Sequence, residues 1–492
     1  MKINKKNSNK KLQRFLCVLL TFVLLLSMVG CSKSGADETS GNDTQVTGFR
    51  VGYGKADITA KESVPLAGSS NTLTRMSTGF DSYLYTMCVA VTDENDNTVL
   101  FMTYDLLIMG DALTESIRSE IHKTIGIPKE NIICSASHVH SAPDMNQSSL
   151  PSISRYRSLV VSQSVVAAQA AMADQAKAEM KIASVQTENM AFVRRYILEN
   201  GAAAGDNYGD FETSPIARHE SEADGELQLI KFERSDKKDI IMTNFQAHPS
   251  RATADNREDQ LDMTSDVLGA YRDAVESQLD CYSVYWTGAA GNQNLTSRIE
   301  SENIVASYGE QGKALADYTV KAEASYKKVS TGPVTVKQIV YKAPVDHSQD
   351  VLLDLATDIK QVWYSTNNFK KAKDMCAGTN ISSPNHAQAI ILKAGLEETI
   401  DVELSAISIG DVAFATAPFE FFSQLGQMVK ETSPYDMTFM LCYTNGSLGY
   451  CPSEDVWDNG GYEVDVCKLY KGGGEIIAEQ LVDMLKEING GN

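Results

Sequence analysis

The chain has 492 residues, 43% hydrophobic and 22% charged, with a formal net charge of −20. That composition excludes a disordered, collagen-like or small disulfide-stapled protein. The acidic balance argues against nucleic acid as a partner, because phosphates recruit Lys and Arg, and against steering of anionic substrates.

Lys2, Lys5, Lys6, Lys10, Lys11 and Arg14 precede an apolar run from Phe15 to Met28. A basic segment followed by an apolar run too short for a full membrane span reads as an export signal. The run ends in Met28-Val29-Gly30-Cys31, whose small residues before a cysteine resemble the lipobox of bacterial lipoproteins. The expected organisation is a lipoprotein signal peptide over 1–30, a polar tether over 31–47 and one large domain over 48–492. Cys31 is the expected lipidation site. It would anchor the chain to a membrane by acyl chains on the extracytoplasmic side. Without the six basic residues of the leader the remainder carries −26, so membrane contact is expected from the anchor rather than from charge. Seven further cysteines lie beyond Cys31, several in apolar runs and none in a CxxC pair, which reads as buried free thiols.

Strand-like and helix-like runs follow in alternation. Met87–Thr92 and Thr98–Leu107 flank the turn Asp93–Asn97. Asp111 is expected to cap a helix carrying Leu113, Ile117 and Ile121 on one face. Ile132–Ala136, Ile240–Phe245, Tyr282–Trp286 and Met437–Cys442 read as strands. Ser265–Leu279, Phe421–Glu431 and Glu475–Ile488 read as helices, and Val402–Ile409 with Val412–Thr416 as a hairpin around Gly410-Asp411. Hairpins together with crossovers predict an α/β fold of mixed β-sheets with surrounding helices. No repeat of solenoid period is present, and the polar stretch 300–395 reads as irregular, an insertion or lid.

Three of the seven histidines fall just after apolar strands, where α/β proteins bind ligands. In Ser137-His138-Val139-His140 the two imidazoles lie on one side of an extended chain, suiting a metal, or one ligand and one acid/base group. His248 follows the strand ending at Phe245; alone it reads as a structural histidine, and it gains weight only from the first pair. Glu420, in Ala417-Pro418-Phe419-Glu420, is either a carboxylate that needs a partner such as a cation, or a first-turn helix residue favoured by the macrodipole. Trp286–Asn294 is a glycine-rich loop that either presents N–H groups to an oxyanion or makes a tight turn.

Taken together, these segments resemble the neutral/alkaline ceramidase family. Val51-Gly52-Tyr53-Gly54-Lys55-Ala56-Asp57-Ile58-Thr59 resembles its opening motif, and Ser135–Pro143 its SATHTHSGPG segment. Gln246-Ala247-His248, Ala417–Glu420 and Gly449-Tyr450 resemble three further motifs, all in family order across roughly 50–490. The resemblance implies a single zinc ion held by His138, His248, Glu420 and Tyr450, and cleavage of an N-acyl (amide) bond by a zinc-activated water. It implies His140 near that water, and Arg194 or Arg195, here Arg195, as an oxyanion stabiliser. Where the family carries a serine in GDVSPN, this chain has Asn294, and Asn292 replaces the aspartate. An amide is no nucleophile, so either zinc and water alone perform the chemistry or the substrate differs. The implied partner is a lipid or other small amide. The alternatives are an extracytoplasmic binding lipoprotein that kept the fold without catalysis, and an adhesion module, for which the ligand set would not converge.

Overall fold

The computed structural model describes residues 47–68, 75–206, 208–250 and 261–490. The leader, Cys31 and nearly all of the tether lie outside the described residues. Val46–Asn492 forms one compact unit. Among the described residues no helix is long and apolar enough to cross a membrane. The seven described cysteines are free and buried.

The unit is mixed α/β, and it is built three times over from one pattern: three antiparallel strands, a helix, a strand parallel to the third, and a closing helix. The first copy runs Arg50–Asp57, Tyr85–Thr92, Thr98–Tyr104, helix Asp111–Ile125, Ile132–Ala136 and helix Pro151–Ala173. The second runs Ala176–Gln186, Glu226–Arg234, Ile240–Phe245, helix Asp266–Leu279, Tyr282–Thr287 and helix Tyr308–Lys321. The third runs Val334–Pro344, Thr399–Ile409, Val412–Thr416, helix Ser423–Thr432, Met437–Leu441 and helix Gly473–Ile488. The first two copies join into one nine-stranded sheet through Arg50–Asp57 and Ala176–Gln186, with Lys327–Val329 added beside the latter. The third forms its own four-stranded sheet.

Local chemistry explains these elements. Gly52 and Gly54 fall on one face of the first strand, where a Cβ would come within 2.0 Å of the carbonyl oxygens of Ala171 and Ala167. The glycines, with buried Ala167, Ala168 and Ala171 opposite, let the Pro151–Ala173 helix lie directly on the sheet. Gly410, at φ +56°, makes the tight turn between Thr399–Ile409 and Val412–Thr416. The two sheets face each other across an aromatic-rich core. Phe101, Ile133, Met242, Val284, Trp286, Phe414, Phe439 and Leu441 meet there, with the Phe101 and Phe414 rings 4.3 Å apart.

The parallel pairs of the three copies converge. Asn244 donates from Nδ2 to the carbonyls of Trp286 (3.2 Å) and Met440 (3.1 Å). Thr287 Oγ1 donates to the Ser137 carbonyl (2.7 Å), and the Ala136 N–H to the Tyr443 carbonyl (3.0 Å). The carboxyl ends of strands from all three copies therefore open on one spot.

Two sequence expectations need correction. Asp111 is not a cap: Gly110 occupies the N-cap of that helix without a side-chain bond, and Asp111 sits in the first turn, where its charge complements the dipole. The stretch 300–395 is not irregular. It holds Tyr308–Lys321, Val334–Pro344 and a three-helix insertion, Leu353–Thr366, Phe369–Cys376 and Pro384–Ala394, with its own small core of Ala356, Ile359, Ala372, Ile381, Ala387 and Ile390. Its polar residues cover the outer faces of short helices, which hid their period.

Candidate metal centre

Each copy contributes to the convergence point. His138 follows the last strand of the first, His248 the third strand of the second, and Glu420 the third strand of the third. One ring nitrogen each from His138, His140 and His248 lies within 4.8 Å of the other two. Glu420 Oε2 lies 3.2 Å from His138 Nε2 and 3.1 Å from His248 Nε2.

The hydrogen bonds behind the rings decide what faces the centre. His138 Nδ1 is 2.7 Å from the Leu107 carbonyl, and His248 Nδ1 is 2.7 Å from the Ala290 carbonyl. A carbonyl only accepts, so Nδ1 carries the proton in both rings and the neutral tautomer leaves Nε2 a bare lone pair. Burial, reinforced by the nearby Arg194 charge, pushes the His248 pKa down to about 4, and burial with the neighbouring histidines lowers that of His140 well below the usual range. Burial opposes ionisation of Glu420, but the facing histidines outweigh it and hold its pKa well below the ordinary carboxylate range. Each Nε2 thus stands free to hold a proton or another cation against the Glu420 carboxylate. Acceptors so arranged repel unless a cation lies among them. Tetrahedral bonds of about 2.0–2.1 Å place ligand atoms roughly 3.3 Å apart, close to the separations found here.

The backbone is strained where it delivers these groups. His138, Tyr443 and Asn445 adopt φ of +66°, +56° and +61°, the left-handed region that non-glycine residues occupy mainly at functional sites. Tyr443 stacks on the His138 ring at a centroid distance of 4.0 Å. Nothing in the sequence marked this tyrosine; its only signal is its place just after the strand Met437–Leu441.

Glu420–Phe421 pairs in parallel with Tyr450–Cys451, so Tyr450 sits beside Glu420 in a buried position. Its hydroxyl accepts from Arg194 Nη2 at 3.0 Å. The same arginine donates to the Gly291 carbonyl (2.9 Å) and from Nε to Glu463 Oε1 (3.0 Å). Arg195 does not turn to this spot. Its guanidinium binds Glu220, Glu463 Oε2 (3.0 Å) and the Gly460 carbonyl (2.8 Å). A bend at residue 194, between strands Phe192–Val193 and Arg195–Leu198, sends the two arginines to different neighbours.

The glycine-rich loop is a packing device. The N–H groups of Gly288, Gly291 and Gln293 are taken by the carbonyls of Phe245, Phe421 and Ala290, which withdraws the glycine N–H groups from any oxyanion. Asn292 is fully buried; its Oδ1 accepts from Ser423 N (2.8 Å) and its Nδ2 donates to Gln424 Oε1 (2.9 Å), pinning the loop to the start of helix Ser423–Thr432. Asn294 pairs with His248 in an isolated parallel bridge. A Cβ on Gly291 would fall 2.3 Å from the Glu420 carbonyl oxygen. Gly291→Ala is therefore expected to displace the Glu420 strand and lower metal affinity at least tenfold, with activity falling on the order of 10²-fold. Metal titration and steady-state kinetics check this.

An α/β fold that gathers two histidines and a carboxylate at strand ends has the make-up of a metal-site enzyme. Residues 49–341 match the family described as neutral/alkaline non-lysosomal ceramidase, N-terminal. The chain belongs to this family, and is a ceramidase-like hydrolase. Among curated proteins none matches it significantly. Its structure is similar to the neutral ceramidase from Pseudomonas aeruginosa, with a TM-score of 0.66 and 14% identity over 91% of this chain and 75% of that one. It is equally similar to a ceramidase complexed with C2, with a TM-score of 0.66 and 14% identity over 90% and 76% of the two chains. At that identity the likeness establishes the fold.

Proposed function

We propose that this chain is a zinc-dependent amidohydrolase that cleaves the N-acyl bond of a lipid or related small amide. The carrying observation is the convergence of His138 Nε2, His248 Nε2 and Glu420 Oε2 on one point, with Nδ1 of both rings already held by backbone carbonyls. Two imidazoles and a carboxylate form a nitrogen- and oxygen-rich set suited to zinc, and Tyr450, beside Glu420, is the proposed fourth ligand. Bound zinc would supply Lewis acidity toward a carbonyl oxygen and toward water.

The protein's own groups account for the rest. The carbonyls of Leu107 and Ala290 fix the histidine tautomers, as outer partners of metal ligands do. His140 has a buried Nε2 without a partner and, kept neutral by burial, is placed to accept a proton there. Arg194, rather than Arg195, is the proposed stabiliser of developing negative charge, because it alone of the pair reaches Tyr450. Cys31 is proposed as the site of a lipid anchor holding the domain on the extracytoplasmic side of the membrane.

The purified protein is expected to contain about one zinc per chain and to hydrolyse a fluorogenic N-acyl amide, losing activity to a chelator and regaining it with zinc. Metal-free protein with undiminished hydrolysis would overturn the reading. Bound zinc without turnover across a panel of N-acyl lipids would favour a binding protein, a reading to which the Asn294 replacement lends weight.

A further inference from the structure

The replacement at Asn294 has a partner in the fold. Asn294 Nδ2 donates to Asp206 Oδ2 at 2.6 Å, and Asp206 Oδ1 accepts from Arg298 Nε at 3.0 Å. A carboxylate can only accept, so Asp206 dictates which end of the amide faces it and turns Oδ1 the other way. That Oδ1 is shielded from solvent and has no hydrogen-bond partner. A buried acceptor left unmet is destabilising, so it marks a place where a donor belongs. Residues paired across a bridge put their side chains on one face of the ladder. Asn294 therefore shares its face with His248, whose ring points into the metal centre. Burial works against the Arg194 charge, and Asp206 lies close enough to join Tyr450 and Glu463, the larger influences, in raising its pKa.

We propose that Asn294 Oδ1, held in that orientation by Asp206, accepts a hydrogen bond from the N–H of the substrate's scissile amide and so selects secondary amides over esters of the same acyl group. Resting on the metal-hydrolase reading above, the assignment narrows its substrate class. It gives Asn294 a role that a nucleophile's position would not suggest: an acceptor that lines up the leaving nitrogen. Asp206 is a positioning residue, acting only through Asn294. A site that hydrogen-bonds a substrate donor discriminates against the analogue lacking it, because its polar group is then left unpaired.

The test compares dodecanoyl 4-nitroanilide with 4-nitrophenyl dodecanoate. They share the acyl chain and the aromatic group and differ in N–H against O. The ratio of kcat/KM for anilide over ester is measured in wild type, Asn294→Ala and Asp206→Asn, with zinc per chain measured alongside. Intrinsic reactivity cancels between proteins. The ratio is expected to fall about tenfold in Asn294→Ala and severalfold in Asp206→Asn, where the amide is free to flip, with zinc retained in both. An unchanged ratio in both zinc-loaded variants would overturn the role of Asn294. A fall in Asn294→Ala alone would overturn the role of Asp206. Wild type that turns over neither probe counts instead against the hydrolase reading, which keeps the two failures distinct.

Discussion

His248→Ala is expected to abolish stoichiometric metal binding and to lower kcat/KM for an N-acyl amide by more than about 100-fold. Loss of an outer partner of a metal ligand already costs 10–100-fold, and His248 is proposed as a ligand itself. Its Nε2 lies 3.1 Å from Glu420 Oε2, its Nδ1–H is anchored on Ala290, and the ring is fully buried. Removing it leaves Glu420 paired with His138 among the described residues and opens a cavity in which the carboxylate is poorly compensated. The neighbouring fold should survive, because the backbone N–H of residue 248 still bonds the Gln293 carbonyl at 3.0 Å. Metal analysis together with circular dichroism separates loss of the ion from loss of structure. A variant that keeps one metal per chain and near-normal rates would remove His248 from the site.

Asp105→Ala is expected to cost roughly 3–5 kcal/mol of stability, the range for breaking a buried ion pair by removing one partner. Asp105 is fully buried and binds Arg272 through both oxygens at 2.8 Å, while Oδ2 also accepts from Tyr85 N at 3.0 Å. Arg272 lies on the Asp266–Leu279 helix of the second copy, and Asp105 follows the third strand of the first, so the pair ties the two copies together. The alanine would leave a guanidinium 3% exposed without its counter-charge. The adjoining Leu106 and Leu107 carbonyls hold the N–H and Nδ1 of His138, so metal affinity should fall with stability. Urea unfolding followed by tryptophan fluorescence measures the first effect, and zinc titration the second. A loss under about 1 kcal/mol would mean that water or another group takes over the buried arginine.

Much of this was written in local sequence. Ile132–Ala136, Ile240–Phe245 and Val412–Thr416 are dense apolar runs with clear breaks, and their boundaries agree with the structure. Because ligands gather at strand ends, His138, His248 and Glu420 were legible once those strands were. The threefold construction was not. Its copies share topology but differ in the segments between their first and second strands, 58–84, 187–225 and 345–398, so no period survives in the sequence. Arg194 and Arg195 could not be told apart, because a single bend decides which one reaches Tyr450. Tyr443, Asp105 and Arg272 matter through contacts between distant segments, which no local pattern announces.

The proposed zinc ion sits among His138, His248 and Glu420. Anomalous diffraction at the zinc edge, from crystals of the purified protein, locates it. One strong peak per chain is expected, bounded by His138 Nε2, His248 Nε2 and Glu420 Oε2 and within bonding distance of each. A zinc-loaded crystal with no peak there, or with its metal held elsewhere in the fold, would contradict that placement.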